Sequence, residues 1–215
     1  DAQSAYGEGA RYQTAFYGLL SAEKIGLPLS PAMVGQETYP DWRGSDIAAS
    51  SVFQMARLLQ AAGDRVQALR FLLHLGESLS GSDIGRLAGL ALEWGDANSA
   101  LLLAKAAADK GVIWPAAYFP MNGIEAMNLP VDPELALARR ESEFNTAAVS
   151  GAGARGLMQV MPGTAKLMAA QAGLGYDGGK LTTDWQYNAR LGSAYLARLI
   201  GEFGPVPVLV TAGYN

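Results

Sequence analysis

The segment ALARRESEFN, residues 136–145, decides how this chain is read. Leu137, Glu141 and Phe144 stand at i, i+4 and i+7, the spacing of one helical face, so a glutamate falls on an apolar stripe. Glu134, Arg139, Arg140 and Glu143 are assigned to positions off that stripe. The helix is expected over 133–145, with Asp132 as N-cap and Pro133 at the first helical position. A carboxylate on a buried face is costly unless it is paired or partly neutral, and burial raises its pKa. A carboxyl held toward neutrality is what a general acid needs near pH 7. Periodicity alone still favours the plainer reading, a glutamate that escapes to the rim or pairs with an arginine.

The next segment, AVSGAGARGLMQVMPGTAKLM, spans residues 148–168. Glycines at 151, 153 and 156 permit a tightly turned backbone close to a ligand. Met158, Val160 and Met161 either line a soft apolar wall or fill the core. Pro162 and Thr164 mark the start of another helix.

Upstream, glycine and proline cut the chain into short helical stretches with little strand signal, which predicts a mostly all-α fold. Gly63-Asp64 closes one helical pattern and opens the next, and Gly95-Asp96 repeats this 32 positions later. Glycine suits the left-handed position after a helix, and aspartate caps the helix that follows. Val52, Met55, Ala56 and Leu59 recur at helical spacing, as do Val66, Leu69 and Leu72 or Leu73. Two helices per unit of this length is the signature of stacked helical hairpins, close to the tetratricopeptide period of about 34 residues, although the tetratricopeptide consensus is absent. Two unrelated helix pairs would give a similar pattern. Residues 7–28 read as a further amphipathic helix with Tyr12, Phe16, Leu19 and Leu20 on one side. The main domain boundary is placed in the proline-rich stretch WPAAYFPMNGIEAMNLPVDP, residues 114–133, giving a helical-repeat region over 1–125 and a second domain over 126–215.

Composition narrows the chemistry. The chain has no cysteine, so disulfides, thiolate metal sites and cysteine nucleophiles are excluded. Its one histidine, His74, lies in an apolar helical run and reads as structural. No cofactor and no metal site is expected. A net charge of −4 gives no whole-chain attraction to nucleic acid or anionic lipid. No apolar run approaches the ~20 residues of a membrane span, and no targeting signal is visible at the polar start of the chain. The four tryptophans are expected in core or interface positions rather than as sugar platforms.

The residues of the second half then form a pattern. Glu141-Ser142-Glu143-Phe144, Ser150 nine positions after Glu141, and Gly156-Leu157-Met158-Gln159-Val160-Met161-Pro162 closely resemble the linked motifs of the soluble lytic transglycosylases of bacterial cell walls. NARLGSAYLARLI, residues 188–200, and the final AGYN, residues 212–215, resemble two further blocks of that family. The resemblance covers about residues 133–215; the first half is similar, more loosely, to the helical scaffold that precedes the lysozyme-like catalytic domain in large periplasmic members. Gly213 replaces a usual alanine, and Glu143 stands where the family often has a small residue. The family's domain continues past the Tyr214-Asn215 block, which implies a truncated sequence or a tail not represented in it.

The resemblance implies cleavage of the β-1,4 bond between N-acetylmuramic acid and N-acetylglucosamine in peptidoglycan, leaving a 1,6-anhydro end. Glu141 would act as acid and then base. Ser150 would polarise or position the N-acetyl group, Gln159 and Met161 would line the sugar subsite, and Tyr214 would orient the Glu141 carboxyl. Peptidoglycan strands are the expected partner and the periplasm the expected location. Asp177 and Asp184, in the loop YDGGKLTTD, read as rim charges rather than a second catalytic acid. A hydrolytic muramidase and a non-catalytic glycan-binding scaffold are the alternatives.

Overall fold

The turn chemistry of the first half folds as its residues dictate. In the structure, a computed structural model that describes residues 1–121 and 131–215, Gly63 and Gly95 adopt φ of 85° and 65°. Asp64 accepts the Gln67 N–H at 3.1 Å and Asp96 accepts the Ser99 N–H at 3.1 Å. Each aspartate therefore caps a helix whose predecessor ends at the left-handed glycine. The elements so punctuated are α3 (Ser51–Ala61), α4 (Arg65–Glu77), α5 (Gly81–Glu93) and α6 (Ala97–Asp109). They follow α1 (Ala2–Gly9), α2 (Phe16–Lys24) and two 3-10 turns, Pro31–Val34 and Asp46–Ala49. After them come α7 (Pro115–Tyr118), α8 (Val131–Ser142), α9 (Pro162–Gln171), α10 (Lys180–Thr183), α11 (Trp185–Phe203) and α12 (Pro207–Tyr214). Among the described residues all regular structure is helical, with only the isolated bridges Val149–Arg155 and Arg155–Val160 besides. The fold is all-α.

The chain divides into two compact units, one of residues 1–89 and 103–119, the other of residues 90–102 and 120–215. The expected boundary between 125 and 126 lies outside the described residues. In the first unit α3 packs on α4 and α1 on α2. The buried positions are Phe53 and Ala56 on α3 and Ala68, Leu72 and Gly76 on α4. Met55 and Val66, expected on the inner stripes, are exposed. The small residues at 56, 68 and 76 set the close-packed faces instead, and the larger side chains flank them. His74 is exposed on α4 and meets Glu77 at 3.3 Å. Trp114 stacks on Tyr39 at 5.0 Å and donates its indole N–H to the Gly81 carbonyl at 3.0 Å.

The amphipathic helix expected over residues 7–28 is not one helix. α1 and α2 are separated by a turn, and Ala15 enters α2 in an extended conformation. Gly18 explains the break: a Cβ there would stand 1.8 Å from the Tyr12 carbonyl oxygen, so the chain folds back onto the glycine. Tyr12, Phe16, Leu19 and Leu20 are all exposed as a result.

In the second unit α11 packs against α9, α10 and α12. Asp184 caps it by accepting the Tyr187 N–H at 3.0 Å. Its inner face buries Ala189, Leu191, Gly192, Leu196 and Leu199. Around it gather Ala138 from α8, Phe144, Leu157, Met158 and Val160 from the following loop, and Ala165 and Met168 from α9. Burying each large apolar side chain contributes roughly 1.5–3 kcal/mol. This core holds the loop that carries most of the predicted site.

Candidate active site

α8 begins at Val131, so Asp132 lies inside the helix rather than capping it; the side chains of Asp132 and Pro133 lie outside the described residues. The helix also ends earlier than periodicity suggests, at Ser142. Glu143 and Phe144 take positive φ, 52° and 63°. Two consecutive left-handed non-glycine residues are strained. The compensation is visible: Phe144 turns into the core, 5% exposed, and the Glu143 carbonyl accepts the Asn98 side-chain amide at 2.9 Å. Phe144 is thus buried by a turn and not by helical continuation, and Glu143 is set apart from Glu141 by that same turn.

Glu141 occupies the last turn of α8 and is half-buried. Burial raises its pKa above the ordinary carboxylate range, against the opposing pull of the Arg140 charge. Among the described residues no hydrogen bond satisfies its carboxylate. One face assignment on this helix is corrected. Glu134 is buried, 5% exposed, with one carboxylate oxygen lacking a partner. It stands seven residues before Glu141, two helical turns, and so shares the inner face. Burial raises its pKa as well. The two carboxylates are separated by about 10.5 Å of helix rise, and only Glu141 stands at the end that opens onto the loop.

Ser142, left out of the predicted site, ties α8 to that loop. Its hydroxyl lies 2.6 Å from the Leu157 carbonyl, to which it donates, and 3.2 Å from the Ala138 carbonyl. The loop itself is folded on its own backbone: Arg155 and Val160 exchange N–H···O bonds of 3.1 and 3.0 Å, and the Gly156 N–H donates to the Ala148 carbonyl at 2.8 Å. Gly156 has φ 74°, and a Cβ there would stand 2.0 Å from the Leu181 carbonyl oxygen and 2.4 Å from the Asn188 amide nitrogen. Of the three glycines, 153 and 156 require the left-handed region, whereas Gly151 has open space around it.

The other predicted residues are distributed over this loop and α12. Ser150 is exposed, and its hydroxyl oxygen accepts the Ala154 N–H at 3.0 Å, closing the turn 150–154. Gln159 has φ 46° and donates its side-chain NH₂ to the carbonyls of Ala148, at 3.2 Å, and Gly156, at 2.9 Å. That leaves its side-chain oxygen as the group open to a ligand. Met161 is 44% exposed, while Met158 and Val160 are buried, which divides the three apolar residues between wall and core. Tyr214 donates its hydroxyl to the Met158 carbonyl at 2.9 Å. Its ring lies 5.2 Å from that of Tyr195, whose own hydroxyl donates to the Gly213 carbonyl at 2.9 Å. Burial, the Glu141 charge and then Tyr195 push the Tyr214 pKa up. Glu141 and Tyr214 therefore sense each other across the loop.

The remaining acids nearby are engaged in turns. Asp177 accepts the N–H groups of Gly179 at 2.8 Å and Lys180 at 3.3 Å, and Asp184 caps α11. Among the described residues no group of three His, Cys, Asp or Glu side chains is placed to hold a metal, and no helix is long and apolar enough to cross a membrane. Asn188 was not among the predicted site residues; it is fully buried, bonds to the loop at Met158 and Arg155, and bonds to α10 at Leu181. Its one signal was a polar residue on the apolar side of the α11 pattern.

The chain is similar to known proteins in sequence and in fold. Residues 124–215 match the family described as Transglycosylase SLT domain. A Haemophilus influenzae protein provisionally named a soluble lytic murein transglycosylase is 39% identical over 92 residues, 43% of this chain and 16% of its own. The soluble lytic murein transglycosylase of Escherichia coli K12 is 35% identical over 88 residues, 40% of this chain and 14% of its own. The matched stretch thus spans about one sixth of these relatives. The solved 70-kDa soluble lytic transglycosylase of Escherichia coli superposes with a TM-score of 0.79 at 24% identity, over 99% of this chain and 35% of that one. An inactive Glu-to-Gln mutant of the lytic transglycosylase Slt from Pseudomonas aeruginosa gives a TM-score of 0.77 at 26% identity, with the same coverage. The fold is therefore that of the soluble lytic transglycosylases, and residues 124–215 are similar to the transglycosylase SLT domain.

Proposed function

We propose that this chain is part of a peptidoglycan lytic transglycosylase of the periplasm, with residues 126–215 forming the catalytic domain and residues 1–125 a helical-repeat scaffold. The substrate is the glycan strand, cut between N-acetylmuramic acid and N-acetylglucosamine. The observation that carries this reading is the isolation of Glu141: a half-buried carboxyl of raised pKa, with every other acid of the loop region committed to capping or set apart by the Glu143–Phe144 turn.

Two-carboxylate glycosidases place their acids about 5 Å or about 6.5–9.5 Å apart. With one available carboxyl, the second role falls to the substrate. Glu141 donates its proton to the glycosidic oxygen as the bond from C1 breaks. The muramyl C6 hydroxyl closes on C1, and its proton passes to the Glu141 carboxylate, which restores the acid. No water is consumed. The intramolecular hydroxyl has an effective concentration that outcompetes solvent. Ser150 holds the N-acetyl group, Gln159 and Met161 form the sugar subsite, and Tyr214 orients the Glu141 carboxyl. Support comes from the relatives' names and from the inactive Glu-to-Gln mutant of the Pseudomonas protein. The test is Glu141→Gln assayed on isolated peptidoglycan. A loss of about a hundredfold to ten-thousandfold is expected, and unchanged turnover would remove Glu141 from the chemistry.

A further inference from the structure

Asn188 stands in the first turn of α11 with no solvent exposure. A buried carboxamide is costly unless its polar atoms are satisfied, and here they are. Its oxygen accepts the Met158 N–H at 2.8 Å. Its nitrogen donates to the Arg155 carbonyl at 2.8 Å and to the Leu181 carbonyl at 3.0 Å. One side chain thus joins α10, α11 and both ends of the 155–158 turn, and the bare Gly156 backbone lies directly against its amide.

The bonds continue from there toward Glu141 by two routes. Met158, fixed through its N–H by Asn188, offers its carbonyl to the Tyr214 hydroxyl. The preceding carbonyl, Leu157, takes the hydroxyl of Ser142, the immediate neighbour of Glu141. Met158 itself is pinned by Gly192 one turn along α11, where a Cβ would stand 2.6 Å from its sulfur. The two peptides flanking Met158 therefore link the neighbour of the acid to the tyrosine.

We propose that Asn188 is a positioning residue for the reaction: by fixing the Met158 peptide it sets the place of the Tyr214 hydroxyl, and through it the wall that faces Glu141. The proposal rests on the reading of Glu141 as the proton carrier. Buried polar networks of this kind hold geometry more than they add stability, because each member is satisfied in only one arrangement. Misplacement of a catalytic partner by a fraction of an ångström to about 1 Å lowers turnover strongly without weakening ground-state binding.

The test compares Asn188→Ala, Asn188→Asp, Tyr214→Phe and the double variant Asn188→Ala/Tyr214→Phe on isolated glycan strands, each first checked for helical content by circular dichroism. Asn188→Ala should lower kcat on the order of tenfold to a hundredfold, with KM changed less than about twofold. Asn188→Asp should regain most of that loss, since a carboxyl buried there stays neutral and keeps the acceptor for Met158 and one donor. Adding Tyr214→Phe to Asn188→Ala should lower kcat no further, because both changes cut the same chain of bonds.

Losses that multiply, or a raised KM with kcat intact, would overturn the role. If Asn188→Ala does not fold, Asn188→Asp combined with Tyr214→Phe is judged by the same criterion. If neither Asn188 variant folds, the residue is structural and the proposal fails. Glu141→Gln, run in parallel, separates the two claims. Full activity in that variant overturns the functional reading itself, whereas its inactivity together with multiplying Asn188 losses overturns only the positioning role.

Discussion

Tyr214 donates its single hydroxyl proton to the Met158 carbonyl at 2.9 Å. That proton is therefore committed to the backbone, and the Glu141 charge acts on Tyr214 through space. Tyr214→Phe removes that hydroxyl and frees the Met158 carbonyl. The expected outcome is a fall in kcat on the order of tenfold, not abolition, with a stability cost of about 1 kcal/mol. Steady-state kinetics and thermal denaturation of the variant check both.

The raised pKa of Glu141 makes a signed prediction about stability. Burial disfavours its charged form, so the folded state holds the proton to higher pH than the unfolded chain does. The resulting penalty is absent below the ordinary carboxylate pKa. It grows as pH rises through the window between that value and the raised one, and persists above it. Glu141→Gln, neutral throughout, should raise Tm at pH 7 and lose this advantage in acid. A melting series against pH measures it, and a Tm gain that is unchanged in acid would contradict the assigned cause.

The same shift governs activity. A general acid must be protonated, so kcat/KM should fall along an alkaline limb that reports the pKa of Glu141 in the free enzyme. The limb should lie above the ordinary glutamate value. Arg140 on the same helix opposes the shift. Arg140→Gln should therefore move the limb to still higher pH, as a pH–rate profile of the variant would record.

Gly156 and Gly151 provide a matched pair. Alanine at 156 meets the Leu181 carbonyl and the Asn188 amide in a left-handed backbone, which should cost about 2–5 kcal/mol. Alanine at 151 has open space and no left-handed φ and should be close to neutral. Denaturant unfolding of the two variants makes the comparison, and equal effects would show that the loop is not held as described.

Which features were legible in the sequence follows from how far apart their causes lie. The Gly63-Asp64 and Gly95-Asp96 turns depend on residues at most three positions away, and they fold as read. The position of Glu141 on a half-buried face needed only the helical period. The end of α8 did not follow from that period, because Phe144 reaches the core through two left-handed residues held by Asn98, 45 positions upstream of Glu143. Glu134 was misassigned although it shares the face of Glu141, since a charged residue was presumed to point outward. Asn188 was invisible as a clamp because its partners lie up to 33 positions away. The break between α1 and α2 turned on one glycine approaching a carbonyl, a contact no helical pattern encodes.

The central claim is that one carboxyl and a substrate hydroxyl perform the cleavage, with no water entering the product. Mass spectrometry of the sugar ends released from purified peptidoglycan by the protein tests it most directly. Single-carboxyl transglycosylation predicts muramyl ends lighter by one water than hydrolysed ends, with none of the hydrolysed form accumulating as digestion proceeds. Muramyl ends that carry the added water, still dependent on Glu141, would contradict it and make the protein a hydrolytic muramidase.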